Sequence, residues 1–380
     1  MESMIKIEKD LLTLNQDIAG QAIGIPVYRI ADSNNALDVP TVYIQSAVHA
    51  AEMQGSAVIL KLIEQLKNMR LCAQFVLVPN CNPFGRTQRA GEYLQGRYDA
   101  TTGNNWNRFY HYSPQDVEAF VEQITTEQML QLSMGDEEEV VADFKVFLNT
   151  KLNEKLNSKW GINTAQYLNT TLQTLAVDAD LVLDLHTGPS STRHIYAPEF
   201  LAESAQKFNI ENIISIPATF AGALDEASFT PWAYLAECLA QKQVSFKYRV
   251  KAFTVELGSQ ENICLREAED DTAGILNYLQ DAGYVEGFSP ITLNDITTTR
   301  LADYRTLYSQ AAGMVEYIAR AGDKVEEGQV LARVLNSLEF ENGGAVKEVL
   351  SPAKGTVILH YPSAAVQVGT QLYKIAVDGS

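Results

Sequence analysis

The feature that most restricts the possible folds is a strand–helix–strand succession between residues 41 and 79. Thr41 to Val48 is rich in β-branched and apolar residues. Residues 53–68, MQGSAVILKLIEQLKN, then place Ile59, Leu62, Ile63 and Leu66 on one helical face. Phe75 to Pro79 is a further short apolar strand. Parallel neighbours need a crossover, usually a helix, so this order predicts a βαβ unit within an α/β sheet. Ile25 to Ile30 adds a strand ahead of it, across the turn-forming run Ala31-Asp-Ser-Asn-Asn35. Strand signals return at Leu181 to Leu185, Ile213 to Ile216 and Phe253 to Leu257, and Asp270 to Leu279 suggests a helix.

Two stretches depart from this pattern. Residues 113–175 are rich in Glu, Gln, Leu, Asn and Lys, with Ser113-Pro114 as a start signal, and read as a helical insertion. The acidic run Asp136-Glu-Glu-Glu139 within it reads as a solvated loop or a helix start. From about residue 296 onward, helical periodicity gives way to Val/Gly alternation with an internal echo. One copy runs from Gly313 to Val334 and the other from Gly355 to Ile375. Gly328 and Gly369 each precede a short alternating strand, which suggests a small β domain with pseudo-twofold symmetry. Its pattern, with Gly322-Asp323 and Ser351-Pro352, resembles the barrel-sandwich fold of biotinyl and lipoyl carrier domains. A chain of 380 residues exceeds one typical core. The expected division is therefore residues 1–295 and 296–380.

Composition excludes several classes. The net charge of -18 argues against nucleic acid and anionic membranes as partners. No apolar run approaches the roughly 18 residues of a membrane span. The N-terminus, MESMIKIEKDLL, lacks the apolar core of a secretory signal, so the expected compartment is the cytoplasm. Cys72, Cys81, Cys238 and Cys264 form no CxxC pair, which excludes a zinc knuckle or a thioredoxin-type site. Self-association into a homo-oligomer stays open.

Four places carry chemistry. His49-Ala-Ala-Glu52 follows the strand Thr41 to Val48 directly. Ligand sites of open α/β sheets lie beyond the carboxyl ends of strands. Residues three apart share one face of a helical turn, so the imidazole and the carboxylate can reach one ion. Surface pairs with this spacing are common, and the motif alone defines no site. Asp180-Leu-Val-Leu-Asp-Leu-His186 is a buried-type strand ending in His at another carboxyl edge. Read alone, His186 is a core or rim histidine. Read with His49 and Glu52, it completes the three-ligand set of a catalytic zinc, with the fourth position open for water. Asp184 shares the strand face of His186. It either orients that ligand or serves as a capped structural carboxylate.

Glu256, in Phe253-Thr-Val-Glu-Leu-Gly258, is a carboxylate within an apolar strand, a costly placement without a partner or a task. Burial would lift its pKa toward that of a general base. A salt bridge with a nearby Arg or Lys is the other reading. Gly85 to Arg108 holds Arg86, Arg89, Arg97 and Arg108 against Glu92 and Asp99. The guanidinium fork suits a carboxylate, and a surface ion-pair network is the alternative. His111, His194 and His360 have no partner at ligand spacing, although His194 with Arg193 can line a pocket after His186. Tyr196 or Tyr110 can assist with a substrate.

Taken in order, His49-x-x-Glu52, Asn82-Pro83, Asn107-Arg108, Asp184-Leu-His186 and Val255-Glu256-Leu-Gly258 resemble the succinylglutamate desuccinylase/aspartoacylase family, relatives of the zinc carboxypeptidases. The resemblance covers most of the chain. It implies a zinc carboxypeptidase-like α/β fold, a mixed sheet flanked by helices, over residues 1–295. It implies an all-β barrel-sandwich domain over residues 296–380. It further implies one zinc ion per chain on His49, Glu52 and His186, with Glu256 as the catalytic glutamate. Asn107 and Arg108 match the pair that holds a substrate carboxylate, and Arg97 matches the arginine that polarises the scissile carbonyl. The sequence departs from the family between Arg97 and Asn107, where Tyr-Asp-Ala-Thr-Thr-Gly-Asn-Asn-Trp replaces a shorter acidic stretch. Arg89 and Arg86 are the substitutes for Arg97. The helical insertion is also larger than in members with small substrates, so substrate identity does not carry over.

The implied activity is zinc-dependent hydrolysis of an amide or ester bond in a small anionic substrate such as an N-acyl amino acid. A carboxypeptidase-like peptidase is the alternative within enzymes. The alternative from another class is a carrier for a swinging cofactor, attached to a Lys at the hairpin between the two β units. The corresponding stretch, Ser337 to Ala345, has no Lys, and Lys347 lies beyond it.

Overall fold

The structure, a computed structural model, describes residues 4–35, 39–94, 96–260, 262–341 and 343–378. The chain opens with strands β1 (Ile5–Gln16), β2 (Ala22–Asp32) and β3 (Thr41–Ser46). Helix α1 (Gln54–Leu66) and strand β4 (Gln74–Val78) complete the expected crossover. The insertion forms α2 (Pro114–Val121), α3 (Thr126–Ser133), α4 (Glu138–Leu156) and α5 (Thr164–Ala176). Strands β5 (Leu181–Gly188), β6 (Arg193–Pro198) and β7 (Asn212–Ile216) follow. Next come α6 (Leu224–Gln241), β8 (Lys251–Ser259), α7 (Leu265–Asp281) and β9 (Thr297–Arg300).

Two compact units result, each assembled from separate stretches of chain. The first comprises Met1–His186, Ala218–Thr254 and Ile263–Ile291. Its sheet runs β1-β2-β4-β3-β5 and then the first half of β8. Strand β3 pairs in parallel with β4 on one side and β5 on the other. Every residue of β3 and β5 is buried, as expected of parallel strands covered on both faces. Gly55 lets α1 lie close on these strands, because a Cβ there would come within 2.7 Å of Leu185 Cβ. Strand β1 was not legible in the sequence. It is an edge strand whose Lys6, Glu8, Lys9 and Asp10 hide its alternation, and charged residues are how edges resist further pairing.

The insertion is helical because its turns are capped. Ser113 Oγ accepts from Asp116 N at 3.2 Å, and Thr125 and Asn163 each form a capping box with a Gln three residues on. Phe144 packs between Phe120 and Trp232, at 4.7 and 4.9 Å between ring centroids, which ties α2 and α4 to α6. The acidic run starts α4, and Glu137 accepts from the backbone of Lys247 and Tyr248 at 2.6 and 2.8 Å.

The second unit comprises Thr187–Pro217, Val255–Asn262 and Thr292–Ser380. The second half of β8 leads a sheet that continues β6-β7-β9, with β6, β7 and β9 mutually parallel. The C-terminal strands are β10 (Tyr304–Tyr308), β11 (Gly313–Tyr317), β12 (Lys324–Val325) and β13 (Val330–Leu335). They continue with β14 (Val346–Leu350), β15 (Gly355–His360), β16 (Ala365–Val366) and β17 (Gln371–Val377). They form two sheets, β10-β17-β15-β12 and β14-β13-β11-β16. The echo in the sequence is an echo in structure. Short strand β12 of the first copy pairs with β15 of the second, and β16 of the second pairs with β11 of the first. Gly328 and Gly369 take matching left-handed turns, at φ 80° and 85°. No helix among the described residues is long and apolar enough to cross a membrane.

Candidate metal centre and active site

Strand β3 ends at Ser46, and Ala47 then takes a left-handed φ of 62°, a strained conformation for a residue with a Cβ. The chain thereby turns sharply out of the sheet before His49. Glu52 N donates to His49 O at 3.0 Å, so the two residues sit on a turn that precedes α1 rather than inside the helix. The turn is fastened from outside. Asn82 Nδ2 donates to Val48 O at 2.7 Å, while its Oδ1 accepts from Gly85 N at 2.8 Å. Gly96 lies against Ala50, where a Cβ would meet Ala50 Cβ at 2.8 Å, and Ala50 N donates to Gly96 O at 3.0 Å.

The cluster His49, Glu52 and His186 is buried, and one donor atom from each lies within 4.8 Å of the others. His49 Nδ1 is 3.1 Å from Glu52 Oε1, and His186 Nδ1 is 2.8 Å from Glu52 Oε2. The opposite nitrogens have their own partners. His49 Nε2 is 2.8 Å from Asn105 Oδ1, and His186 Nε2 is 2.9 Å from Asp184 Oδ2. Asn105 Oδ1 accepts a proton from His49 Nε2, which leaves that Nδ1 lone pair for an ion, and at His186 a proton on Nε2 facing the Asp184 carboxylate does the same. Asp184 is held in turn by Gln45 Nε2 at 2.9 Å, and Tyr43 OH donates to Gln45 Oε1 at 2.9 Å. Two imidazole nitrogens and a carboxylate suit zinc and other divalent first-row metals.

Electrostatics agree with the donor set. Burial lowers the pKa of His49 against the pull of Glu52, so it is a neutral donor near pH 7. Burial favours the protonated form of Glu52, yet the two imidazoles outweigh it and hold the carboxyl well below its usual range. For His186 burial again disfavours charge, and Asp184 with Glu52 overrides it, raising the pKa well above the ordinary value. These two carboxylates demand positive charge at His186. A proton or a divalent ion can supply it, so metal binding competes with protonation.

Arg97 and Asn107 join the cluster. Arg97 Nη2 is 2.6 Å from Glu52 Oε1, and Asn107 Nδ2 is 3.1 Å from His186 Nε2. The residues between them, which depart from the family, form a tight hairpin. Tyr98 bridges Asn105, Asp99 N donates to Asn104 O at 2.7 Å, and Trp106 N donates to Arg97 O at 3.0 Å. The extra length loops out and Arg97 stays beside Glu52. Arg86 and Arg89 are exposed, and Arg89 Nη1 lies 3.5 Å from the nearby Glu92 carbonyl. Arg108 turns back to its own loop, Nη1 donating to Asn107 O at 2.6 Å.

Glu256 is half-buried on the second half of β8, in the second unit. Its charge adds to the burial that raises the pKa of Tyr304. Around Tyr304 stand Tyr196 and the fully buried His194, with ring centroids at 6.2 and 6.4 Å. His111 pairs with Asp116 at 2.9 Å, and His360 Nδ1 faces Tyr361 O. The sequence reading gave no role to Asn105 or Gln45. Asn105 sits in the run Asn104-Asn-Trp-Asn107, where several amides compete and only the hairpin selects the one that faces His49.

A buried His–Glu–His cluster at the carboxyl ends of parallel strands, flanked by Arg and Asn, is a donor set able to hold a metal ion. The family model for the succinylglutamate desuccinylase/aspartoacylase catalytic domain matches residues 38–282, and the chain belongs to that family of deacylating hydrolases. A solved family protein from Shewanella amazonensis is 38% identical, covers 97% of this chain and 98% of its own, and superposes with a TM-score of 0.89. One from Shewanella frigidimarina is 35% identical, covers 99% of this chain and 98% of its own, and reaches 0.90. The ectoine utilization protein EutE of Ruegeria pomeroyi, 18% identical, shares the fold with a TM-score of 0.66 over 98% of this chain and 95% of its own. No curated protein matches the chain.

Proposed function

We propose that the protein is a zinc-dependent amidohydrolase that removes the acyl group from an N-acyl amino acid. The observation that carries this reading is the convergence of His49, Glu52 and His186, with Arg97 and Asn107 touching the same cluster. These three residues would hold one zinc ion per chain, which when bound acidifies water and polarises a carbonyl. Glu256 accepts the proton of the attacking water and delivers it to the leaving amine. The Arg97 guanidinium stabilises negative charge growing on the carbonyl oxygen, a contribution often of about 3 kcal/mol per donor. Asn107 and Arg108 hold a carboxylate of the substrate, which fixes the scissile bond. Residues 296–380 form a barrel-sandwich scaffold rather than a carrier. In support, Lys347 lies within strand β14, paired with Val334, and not at a turn.

Purified protein should contain about one zinc per chain, and His49→Ala should lose most of it. Glu256→Gln should keep the metal and lose roughly 10²- to 10⁴-fold in kcat. Near-normal hydrolysis by that variant would remove Glu256 from its role. Short peptides cleaved faster than a panel of N-acyl amino acids would replace the deacylase reading with a peptidase.

A further inference from the structure

The backbone just after Asn107 and Arg108 is held almost entirely by the helical insertion. The buried Asn169, on α5, donates through Nδ2 to Arg108 O. Lys155, at the end of α4, donates through Nζ to Phe109 O at 3.0 Å. Gln173, one turn beyond Asn169 on the same face of α5, grips His111 twice. Its Oε1 accepts from His111 N and its Nε2 donates to His111 O, both at 2.7 Å. Phe109, in the middle of this grip, has a left-handed φ of 67° although it is not glycine, and its ring is exposed. Such a conformation persists only where the surroundings over-determine it. Lys155 is half-buried, and desolvation alone lowers its pKa, with no carboxylate contributing. In a chain of net charge -18, an ammonium directed at a carbonyl instead of an acid has a structural task there.

We propose that α4 and α5 act as a clamp, in which Lys155, Asn169 and Gln173 are positioning residues that set the Arg108–His111 backbone and so aim Arg108 at the substrate carboxylate. The consequence for substrate rests on the proposed deacylase reading, while the clamp itself does not. The insertion thereby gains a function. It supplies, from a distant part of the chain, the side chains that hold the Arg108–His111 backbone.

The test uses the full-length, zinc-loaded protein and the variants Lys155→Met, Lys155→Arg and Gln173→Leu. Hydrogen–deuterium exchange of the peptide spanning residues 105–112 should speed at least tenfold in Lys155→Met and Gln173→Leu, and stay near the parent rate in Lys155→Arg. Unchanged exchange in the first two overturns the clamp, whatever the enzyme does. For turnover, the probes are N-succinylglutamate and N-acetylaspartate with their α-carboxamide counterparts. Lys155→Met should raise KM about tenfold for the acids, with kcat within twofold, and leave the carboxamides unmoved. It should add nothing in an Arg108→Ala background. Equal losses on acid and carboxamide, or additive losses with Arg108→Ala, overturn the aiming role. Should Arg108→Ala alone leave KM unchanged, the carboxylate anchor of the proposed function is wrong, and exchange still decides the clamp.

Discussion

A histidine binds a metal through one nitrogen, and the proton on the other decides which one is free. At His186 two groups meet Nε2, the Asp184 carboxylate at 2.9 Å, fixed by Gln45, and the Asn107 amide at 3.1 Å, and the charge of Asp184 favours a proton there. The sequence left Asp184 with two readings, ligand-orienting or structural, and the geometry favours the first. Replacing it with Asn keeps the shape and removes the charge. Asp184→Asn should weaken zinc binding by about 10- to 100-fold, read by competition with a chromophoric chelator. Affinity within twofold of the parent would return Asp184 to a structural carboxylate. The two histidines were legible because His is rare, five in the chain, and each stands at or just past a strand's carboxyl end, and Glu52 because it follows His49 at a spacing of three. Asn105 was not, since an amide beside two other amides signals nothing until a hairpin has chosen its direction.

At the scale of elements, periodicity carried β3, α1 and β4 because their faces are uniformly buried or cleanly amphipathic. It failed for α6, whose interior Pro231 interrupts the pattern that a helix reader seeks. It failed too for β6, which carries Arg193 and His194 into the second unit. That strand has a measurable consequence. His194 is buried, its Nδ1 donates to Thr192 O at 3.0 Å, and burial first, then Lys374, pulls its pKa down to about 4, with only the Thr192 contact opposing. The unfolded chain takes up this proton near pH 6.5 and the folded chain near pH 4. Between those values the unfolded state binds more protons, so stability is complete above pH 6.5 and falls as the pH drops toward 4. A shift of this size corresponds to at most about 3 kcal/mol. Urea midpoints measured from pH 8 to pH 4.5 should fall less steeply in His194→Gln than in the parent. Parallel slopes would mean that the imidazole reaches solvent in the folded state.

At the scale of the molecule, the chain leaves the first unit inside β5 and again inside β8, so no single linker separates the units. Composition cannot show this, because pairings such as Ser190 and Ser191 with β15, or β7 with β9, join residues far apart in sequence. The change of character near residue 296 is visible, and it concerns autonomy of folding. One core cluster, from Val315 to Ile375 and including Leu331, Val357 and Leu372, lies wholly within the C-terminal stretch. We therefore expect residues 296–380, expressed alone, to give a dispersed amide spectrum and a cooperative melt, with stability of about 3–5 kcal/mol at most. The exchanged short strands make a sharper demand. Among the described residues β12 pairs into the second copy and β16 into the first, so each copy alone keeps a single two-stranded pairing, β11 with β13 or β15 with β17, which is marginal in water. Peptides divided at Gly343 should each be unstructured and regain the β spectrum on mixing. A folded single half would show that each copy closes on itself, and that the exchange of β12 and β16 adds to the fold without defining it.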